Sequence, residues 1–125
     1  MIMNRRKEPF RYTMKDPVDF ELHILSINGN PAPTKPVPAR LYDISRSGCR
    51  IWIPLALHVS TNRIAIRLDL QLNQDPLQLE GELRWGPLEK DQNYYGVEFL
   101  IPEQEQDRLP RELRMLASDG RIIAK

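Results

Sequence analysis

Four cationic side chains lie close together near the N-terminus, in the stretch NRRKEPFRY at residues 4–12. They are Arg5, Arg6, Lys7 and Arg11. Because the whole chain has a formal net charge of only +1, this is a local concentration of positive charge. Guanidinium groups bind phosphate oxygens and the O6/N7 edge of guanine through paired hydrogen bonds, and they stack on flat bases. The cluster predicts an anion site, with a solvated tail as the alternative interpretation.

A second polar stretch, DISRSG at residues 43–48, offers chemistry that complements these cations. The carboxylate of Asp43 can accept hydrogen bonds from the ring N–H and the amino group of a guanine. The hydroxyl of Ser45 can donate to a phosphate or carbonyl oxygen, and Gly48 permits a positive φ and a close approach of the backbone. Since Asp, Ser and Gly are also ordinary turn residues, the alternative interpretation is a simple hairpin turn.

No pattern in the sequence supports catalysis or a metal site. His23 and His58 fall in a predicted strand and a predicted loop, and their spacing is not that of metal ligands. Cys49 is the single cysteine, which excludes an internal disulfide and a zinc site built from several thiolates, so we expect a half-buried small hydrophobe there. There is no phosphate-binding loop and no dinucleotide fingerprint. We therefore expect a binding protein without enzymatic activity and without a cofactor.

Length and composition predict one domain in a cytoplasmic protein. The chain has 125 residues, of which 41% are hydrophobic, and this length is typical of a single domain. The 18 basic and 17 acidic residues nearly cancel, which argues against wholesale binding to nucleic acid or membranes. The N-terminal MIMNRRKE has no apolar run of signal-peptide length, and no segment approaches the ~18 apolar residues of a transmembrane helix. We expect no membrane insertion.

The elements that would position the polar groups are mostly strands. Alternating apolar and polar residues in RIAIRLDLQL (63–72) and LQLEGELRW (77–85) predict two strands, with Trp85 on the inward face of the second. The link between them, NQDP, is typical of a turn. Shorter segments with the same alternation predict further strands at residues 19–27, 39–44, 49–54 and 94–100.

The pattern changes to a helical one after Pro102. Leu109, Leu113 and Leu116 recur at the spacing of one helix face, and Pro110 either kinks that helix or starts a second one. Five or six antiparallel strands followed by a helix predict an all-β fold with a C-terminal helix, closed into a small barrel that leaves few exposed strand edges. We divide the chain into a flexible basic arm (1–12), a barrel (13–101) and a C-terminal helix and tail (102–125).

The two polar stretches, in this order and flanking a first strand, resemble the PilZ domain family. The family's pattern is Arg-x-x-x-Arg near the N-terminus and then Asp/Asn-x-Ser-x-x-Gly on the barrel, and Asp43, Ser45 and Gly48 match the second motif fully. The stretch YYGVEFL (94–100) is similar to the family's last strand. The resemblance implies a six-stranded antiparallel PilZ-like split barrel and a receptor for the bacterial second messenger cyclic di-GMP.

The first family motif is altered in this chain. Counting back four positions from Arg11 gives Lys7, whereas Arg6 is one position too far away. Lysine keeps the charge but lacks the planar fork, and a good bidentate contact to a base is worth about 1–3 kcal/mol. Affinity would fall by about one to two orders of magnitude if no neighbour compensates. Arg6 is the neighbour that could take over this role, and both options stay open.

Three functions remain open. By resemblance, cyclic di-GMP would bind near the DISRSG turn, and the arm cations would close over it and present a new surface to an unidentified downstream protein. The alternative is a ligand-free interaction adaptor with the same barrel, in which Trp52 is a candidate contact residue. A barrel that binds single-stranded nucleic acid needs a basic groove with many stacking aromatics. Because only 7% of the residues are aromatic, we expect no binding to DNA or RNA.

Overall fold

The molecule consists mainly of β-strands followed by one α-helix. The structure is a computed structural model that describes residues 11–32, 35–86 and 93–124. The strands are β1 (Tyr12–Ile27), β2 (Asn30–Pro31), β3 (Val37–Ile44), β4 (Gly48–Trp52), β5 (Ile64–Leu70), β6 (Leu77–Trp85), β7 (Tyr94–Phe99) and β8 (Ile122–Ala124). A short 3-10 helix, η1 (Glu103–Glu105), and the helix α1 (Arg108–Ser118) lie between β7 and β8.

Six of these strands form a closed antiparallel barrel. Neighbouring strands follow the order β1-β3-β4-β7-β6-β5, and β5 pairs back with β1. Every pairing is antiparallel. Closure leaves none of the six long strands with a free edge. The predicted all-β fold, a six-stranded barrel with a C-terminal helix, is confirmed.

The barrel interior is filled by apolar side chains from alternate positions of the strands. Ile64, Ile66, Leu68 and Leu70 of β5 are all buried, as the period-2 pattern predicts. Burying an aliphatic side chain of this size contributes about 1.5–3 kcal/mol, so one such strand supplies much of the driving force for closure. A filled interior leaves the outer surface and the strand ends for binding.

The expected inward position of Trp85 is wrong. The pairing of β6 with β7 shifts between Leu83 and Trp85, so a bulge interrupts the alternation there. The shift places the Trp85 side chain outside, where it is 38% exposed and its indole lies against Gly96. A Cβ at Gly96 would collide with this ring, which explains why a glycine stands opposite the tryptophan.

The helix α1 packs one apolar face on the barrel through Leu109, Leu113 and Leu116, which are buried as predicted. Pro110 lies in the first turn of α1, where the backbone N–H groups have no partner within the helix, so its missing N–H causes no loss. Pro102 precedes the separate helix η1, so Pro110 lies near the start of a second helical segment. This is one of the two alternatives predicted from the sequence, the other being a kink in a single helix. Among the described residues, no helix is long and apolar enough to cross a membrane.

The C-terminal strand β8 was not predicted. It pairs with the beginning of β1, with Thr13 opposite Ile123 and Met14 opposite Ile122. The same part of β1 pairs with the end of β3 on its other side, with Thr13 opposite Asp43. The first residues of β1 are therefore held between β3 and β8, next to the DISRSG turn.

Candidate functional site

The DISRSG stretch forms the tight turn between β3 and β4, and Ser45 holds it together. The Ser45 hydroxyl accepts hydrogen bonds from the amides of Ser47 and Gly48, both at 3.2 Å, and lies 3.3 Å from the Gly48 carbonyl oxygen. The Ser45 amide donates to the same carbonyl at 2.8 Å. Because Ser45 is fully buried, these contacts give it a structural role in shaping the turn.

Gly48 shows one of the two features expected of it, a close approach of the backbone, and lacks the other, a positive φ. Its φ is not positive, so the conformational freedom of glycine is not used at this position. Instead, a Cβ there would collide with the carbonyl oxygen of Val97 on β7. The close approach that Gly48 permits is between β4 and β7, and it fixes the turn against the barrel wall.

Asp43 is the buried charge at this end of the barrel. Its residue surface is 9% exposed, and two arginines lie beside its carboxylate. Arg50 Nε lies 3.0 Å from Asp43 Oδ2, and Arg11 Nε lies 3.3 Å from Asp43 Oδ1. The structure thus brings the last cation of the N-terminal cluster to the acidic residue of the DISRSG turn. These two residues are 32 positions apart in the sequence and were predicted to work together.

One oxygen of this carboxylate is not satisfied. Asp43 Oδ1 is buried and accepts no hydrogen bond from any residue that the structure describes, although Arg11 Nε lies at ion-pair distance from it. Leaving a buried acceptor without a hydrogen bond costs about 1–3 kcal/mol, and more for a charged group. Native structures contain few such groups, and each calls for an explanation. An added hydrogen-bond donor at Asp43 Oδ1 would remove this cost.

Arg50 is held in place by two tyrosines. Its guanidinium carbon lies 5.8 Å from the ring centre of Tyr42 and 5.9 Å from that of Tyr94, within the range of cation–π attraction. The two rings pack edge to face, with centres 5.3 Å apart. A side-chain hydrogen bond between the two hydroxyls raises the pKa of Tyr94 above its ordinary value. This packing orients the arginine that in turn orients Asp43.

Arg50 was not among the site residues predicted from the sequence. Its relevance comes from the antiparallel register, which places it directly opposite Asp43 across the β3–β4 pair. Strands were predicted on both sides of the SRSG turn, but their register, which shifts between Leu41 and Asp43, was not. Linear motif spacing alone could not show it.

Three of the predicted cations, Arg5, Arg6 and Lys7, lie outside the described residues, so their placement stays a prediction. Arg11 comes immediately before β1, whose first residues pair with Ile44 and Asp43 at the end of β3. Arg11, the last cation of the N-terminal cluster, therefore lies beside the DISRSG turn. The other arm cations precede Arg11 by four to six positions along the chain.

The other reactive residues considered from the sequence do not join this site. Cys49 is fully buried, and burial raises the pKa of its thiol far above the ordinary value, which makes it unreactive. His58 is exposed in the loop between β4 and β5. His23 faces partly outward from β1, as expected, and lies 3.0 Å from Asp69 on the neighbouring strand.

Comparison with models of protein families shows to which family this chain belongs. The model of the PilZ domain matches residues 4–115, which is most of the chain and includes both polar motifs. The chain belongs to the PilZ domain family. The PilZ family is a family of binding domains that includes receptors for cyclic di-GMP.

The fold of this PilZ domain is similar to that of a solved structure. The structure of Bacillus subtilis inhibitor of motility (MotI/DgrA) is similar, with a TM-score of 0.56 and 15% sequence identity. The match covers 93% of this chain and 53% of that chain, so this PilZ domain spans about half the length of MotI/DgrA. At this level of identity the similarity shows the fold alone. Among curated proteins, no sequence matches this chain.

Proposed function

We propose that this PilZ domain binds cyclic di-GMP between its N-terminal arm and the DISRSG turn. The observation that carries the proposal is the 3.3 Å approach of Arg11 Nε to Asp43 Oδ1, an oxygen without a hydrogen bond. A guanine offers a ring N–H and an amino group, which are the donors that such a carboxylate accepts. Arg11 can at the same time bind a phosphate of the ligand or the other edge of the base.

The remaining predicted residues have distinct roles in this proposal. Arg5, Arg6 and Lys7 neutralise the two phosphates and stack on the bases. Ser45 and Gly48 act through the shape of the turn, since the Ser45 hydroxyl is buried and bonded within it. No cofactor is needed, because binding uses only hydrogen bonds, stacking and charge.

Signalling would follow from ordering of the arm. Closing the arm over the ligand costs conformational entropy and creates a surface that the free protein does not present. A downstream protein that recognises this surface would then respond to the ligand concentration. A cytoplasmic location in a bacterial cell follows from the proposed second messenger.

A ligand-free adaptor is the second candidate, and the outer surface beside the site favours it. Tyr42, Tyr94 and the partly exposed Trp52 lie near Arg50, with Trp52 directly opposite Tyr94. Tyrosine, tryptophan and arginine are the residues enriched at the centres of protein interfaces. In this version the same surface would bind a partner without nucleotide.

Isothermal titration calorimetry tests the proposal. Cyclic di-GMP is titrated into the protein, and GTP and cyclic di-AMP serve as controls for phosphate and for base. We expect saturable binding of cyclic di-GMP alone, unchanged in Arg111→Ala, which removes an exposed arginine of α1. No heat with cyclic di-GMP at millimolar concentration would contradict the receptor function and favour the adaptor.

A further inference from the structure

A second group of polar side chains lies on the outer face of the barrel, where β1 pairs with β5. Glu21 and His23 are alternate residues of β1 and therefore face the same way. Asp69 of β5 lies directly opposite Glu21. One nitrogen or oxygen atom of each of these three side chains lies within 4.8 Å of the other two. Since the strands belong to the closed barrel, their backbone spacing is fixed.

The distance between the two partly buried donors fits a shared metal ion. His23 Nε2 lies 3.0 Å from Asp69 Oδ2. Bonds from a zinc ion to histidine nitrogen and carboxylate oxygen are about 2.0–2.2 Å, so two bonds at roughly a right angle span about 3 Å. The ion would replace the proton that now lies between these two atoms. The exposed side chain of Glu21 can then rotate to become the third ligand without a change of the backbone.

Arg67 holds the aspartate in the orientation that this geometry needs. Its Nε donates to Asp69 Oδ1 at 3.0 Å, whereas its contact with Oδ2 is longer, at 3.4 Å. The stronger contact fixes the oxygen that faces away from His23 and leaves Oδ2 directed at the imidazole. Groups that hydrogen-bond to metal ligands in this way orient them and support affinity.

The local charge also favours a divalent cation. With neutral imidazole, the carboxylates of Glu21 and Asp69 contribute two negative charges and Arg67 one positive charge, which leaves a net charge of −1. One nitrogen and two carboxylate oxygens form a mixed donor set, which suits Zn²⁺, Ni²⁺ or Cu²⁺. Mg²⁺ and Ca²⁺ prefer oxygen ligands alone.

We propose that Glu21, His23 and Asp69 form a surface site for a divalent transition-metal ion of the Zn²⁺ type. Water completes the coordination. The site is independent of the cyclic di-GMP proposal, because none of its residues belongs to the arm or to the DISRSG turn. The competing explanation is that His23, Asp69 and Arg67 form only a hydrogen-bonded network that stabilises the β1–β5 pair.

The experiment is a calorimetric titration of ZnCl₂ into tag-free protein that has been treated with a chelator. We expect saturation at one equivalent and loss of this binding in His23→Gln and in Asp69→Asn. His58→Gln is the matched control, because His58 is exposed and does not belong to the cluster. Circular dichroism and the urea midpoint of each variant show whether it is folded.

A second measurement locates the ion without relying on variants. Long-range ¹H–¹⁵N NMR spectra of the two imidazole rings are recorded during the Zn²⁺ titration. Saturating shifts of His23 Nε2, with His58 unchanged, would support the site. No binding by millimolar Zn²⁺, equal loss of binding in His58→Gln, or binding that persists in His23→Gln would overturn it. Equal affinity for Mg²⁺ would also overturn it, because it would indicate a diffuse acidic surface.

Discussion

Two carboxylates are buried to a similar degree in this PilZ domain, and their surroundings differ. Asp43 is 9% exposed and Glu112 is 6% exposed. Glu112 Oε1 accepts a hydrogen bond from Asn73 Nδ2 at 2.8 Å, and Oε2 accepts one from Arg108 Nε at 3.5 Å. Asp43 Oδ1 accepts none from the residues that the structure describes. Burial of a charge therefore does not by itself distinguish the two carboxylates, whereas the unsatisfied oxygen of Asp43 beside two arginines does.

The partners of Glu112 explain its role. Asn73 lies in the β5–β6 loop and also donates to the Glu112 backbone carbonyl at 3.1 Å. Arg108 of α1 donates to the carbonyl of Pro76 in the same loop at 2.9 Å. These contacts attach α1 to the barrel, so the charge of Glu112 is used within the fold. Asp43 Oδ1, in contrast, is left without a hydrogen bond among the described residues, and the proposed function assigns it to the ligand.

The largest effect on binding is expected for Arg11→Ala. This change removes the cation beside Asp43 Oδ1 and one charged contact to the ligand, each worth about 1.5–3 kcal/mol. Affinity for cyclic di-GMP should fall by roughly a hundredfold or more, as measured by calorimetry. Affinity within a fewfold of the unmodified protein would show that Arg11 does not contact the ligand.

Glu112→Ala tests most directly whether the two buried carboxylates have different roles. Asn73 and Arg108 would lose their acceptor, so the free energy of unfolding in urea should fall by about 1–3 kcal/mol. Affinity for cyclic di-GMP should not change. The reciprocal variant Asp43→Ala should weaken binding by about tenfold or more and change the unfolding free energy less, since Arg11 and Arg50 are partly exposed to water. If both variants changed stability and binding alike, the distinction would be wrong.

Lys7→Arg tests which arm residue occupies the first position of the family motif. It restores the Arg-x-x-x-Arg motif, and a bidentate contact in place of a point charge should raise affinity about tenfold, if Lys7 occupies the motif position. The matched variant Arg6→Lys should then have little effect. No gain from Lys7→Arg together with a loss from Arg6→Lys in the same titration would assign the role to Arg6.

The smallest expected effect concerns Arg50, which orients Asp43 without being part of either family motif. In Arg50→Ala, Asp43 Oδ2 loses its partner at 3.0 Å, and the carboxylate gains freedom to rotate away from the ligand. The binding free energy should become less favourable by roughly 1 kcal/mol, which is about a fivefold loss of affinity. Arg63→Ala, which removes an exposed arginine next to β5 that pairs with Glu82, is the control and should bind normally. Equal effects of the two variants would remove Arg50 from the site.

The sequence was sufficient to predict the barrel, because alternation is a local signal. Each of β5 and β7 buries the residues that the period-2 pattern selects. Trp85 was placed wrongly because a bulge reverses the alternation, and nothing in the pattern LRWG reports that bulge. The three-residue strand β8 is too short to produce a pattern, and its pairing with the first residues of β1 joins opposite ends of the chain.

The candidate site could be predicted only in part. Asp43 and Arg11 were found because their motif spacing is readable along the chain. The pair of Arg50 with Asp43 depends on strand register, and the contact between His23 and Asp69 joins residues that are 46 positions apart. Such contacts are set by closure of the barrel, which no local spacing describes.

Chemical-shift mapping tests the central claim most directly. ¹H–¹⁵N spectra of the labelled protein are recorded during a titration with cyclic di-GMP. The proposal predicts saturating shifts in residues 4–13 and 43–50, whereas the amides around Glu112 in the middle of α1 stay unchanged. Shifts confined to α1 and the β5–β6 loop, or no shifts at a large excess of ligand, would contradict a cyclic di-GMP site at Asp43.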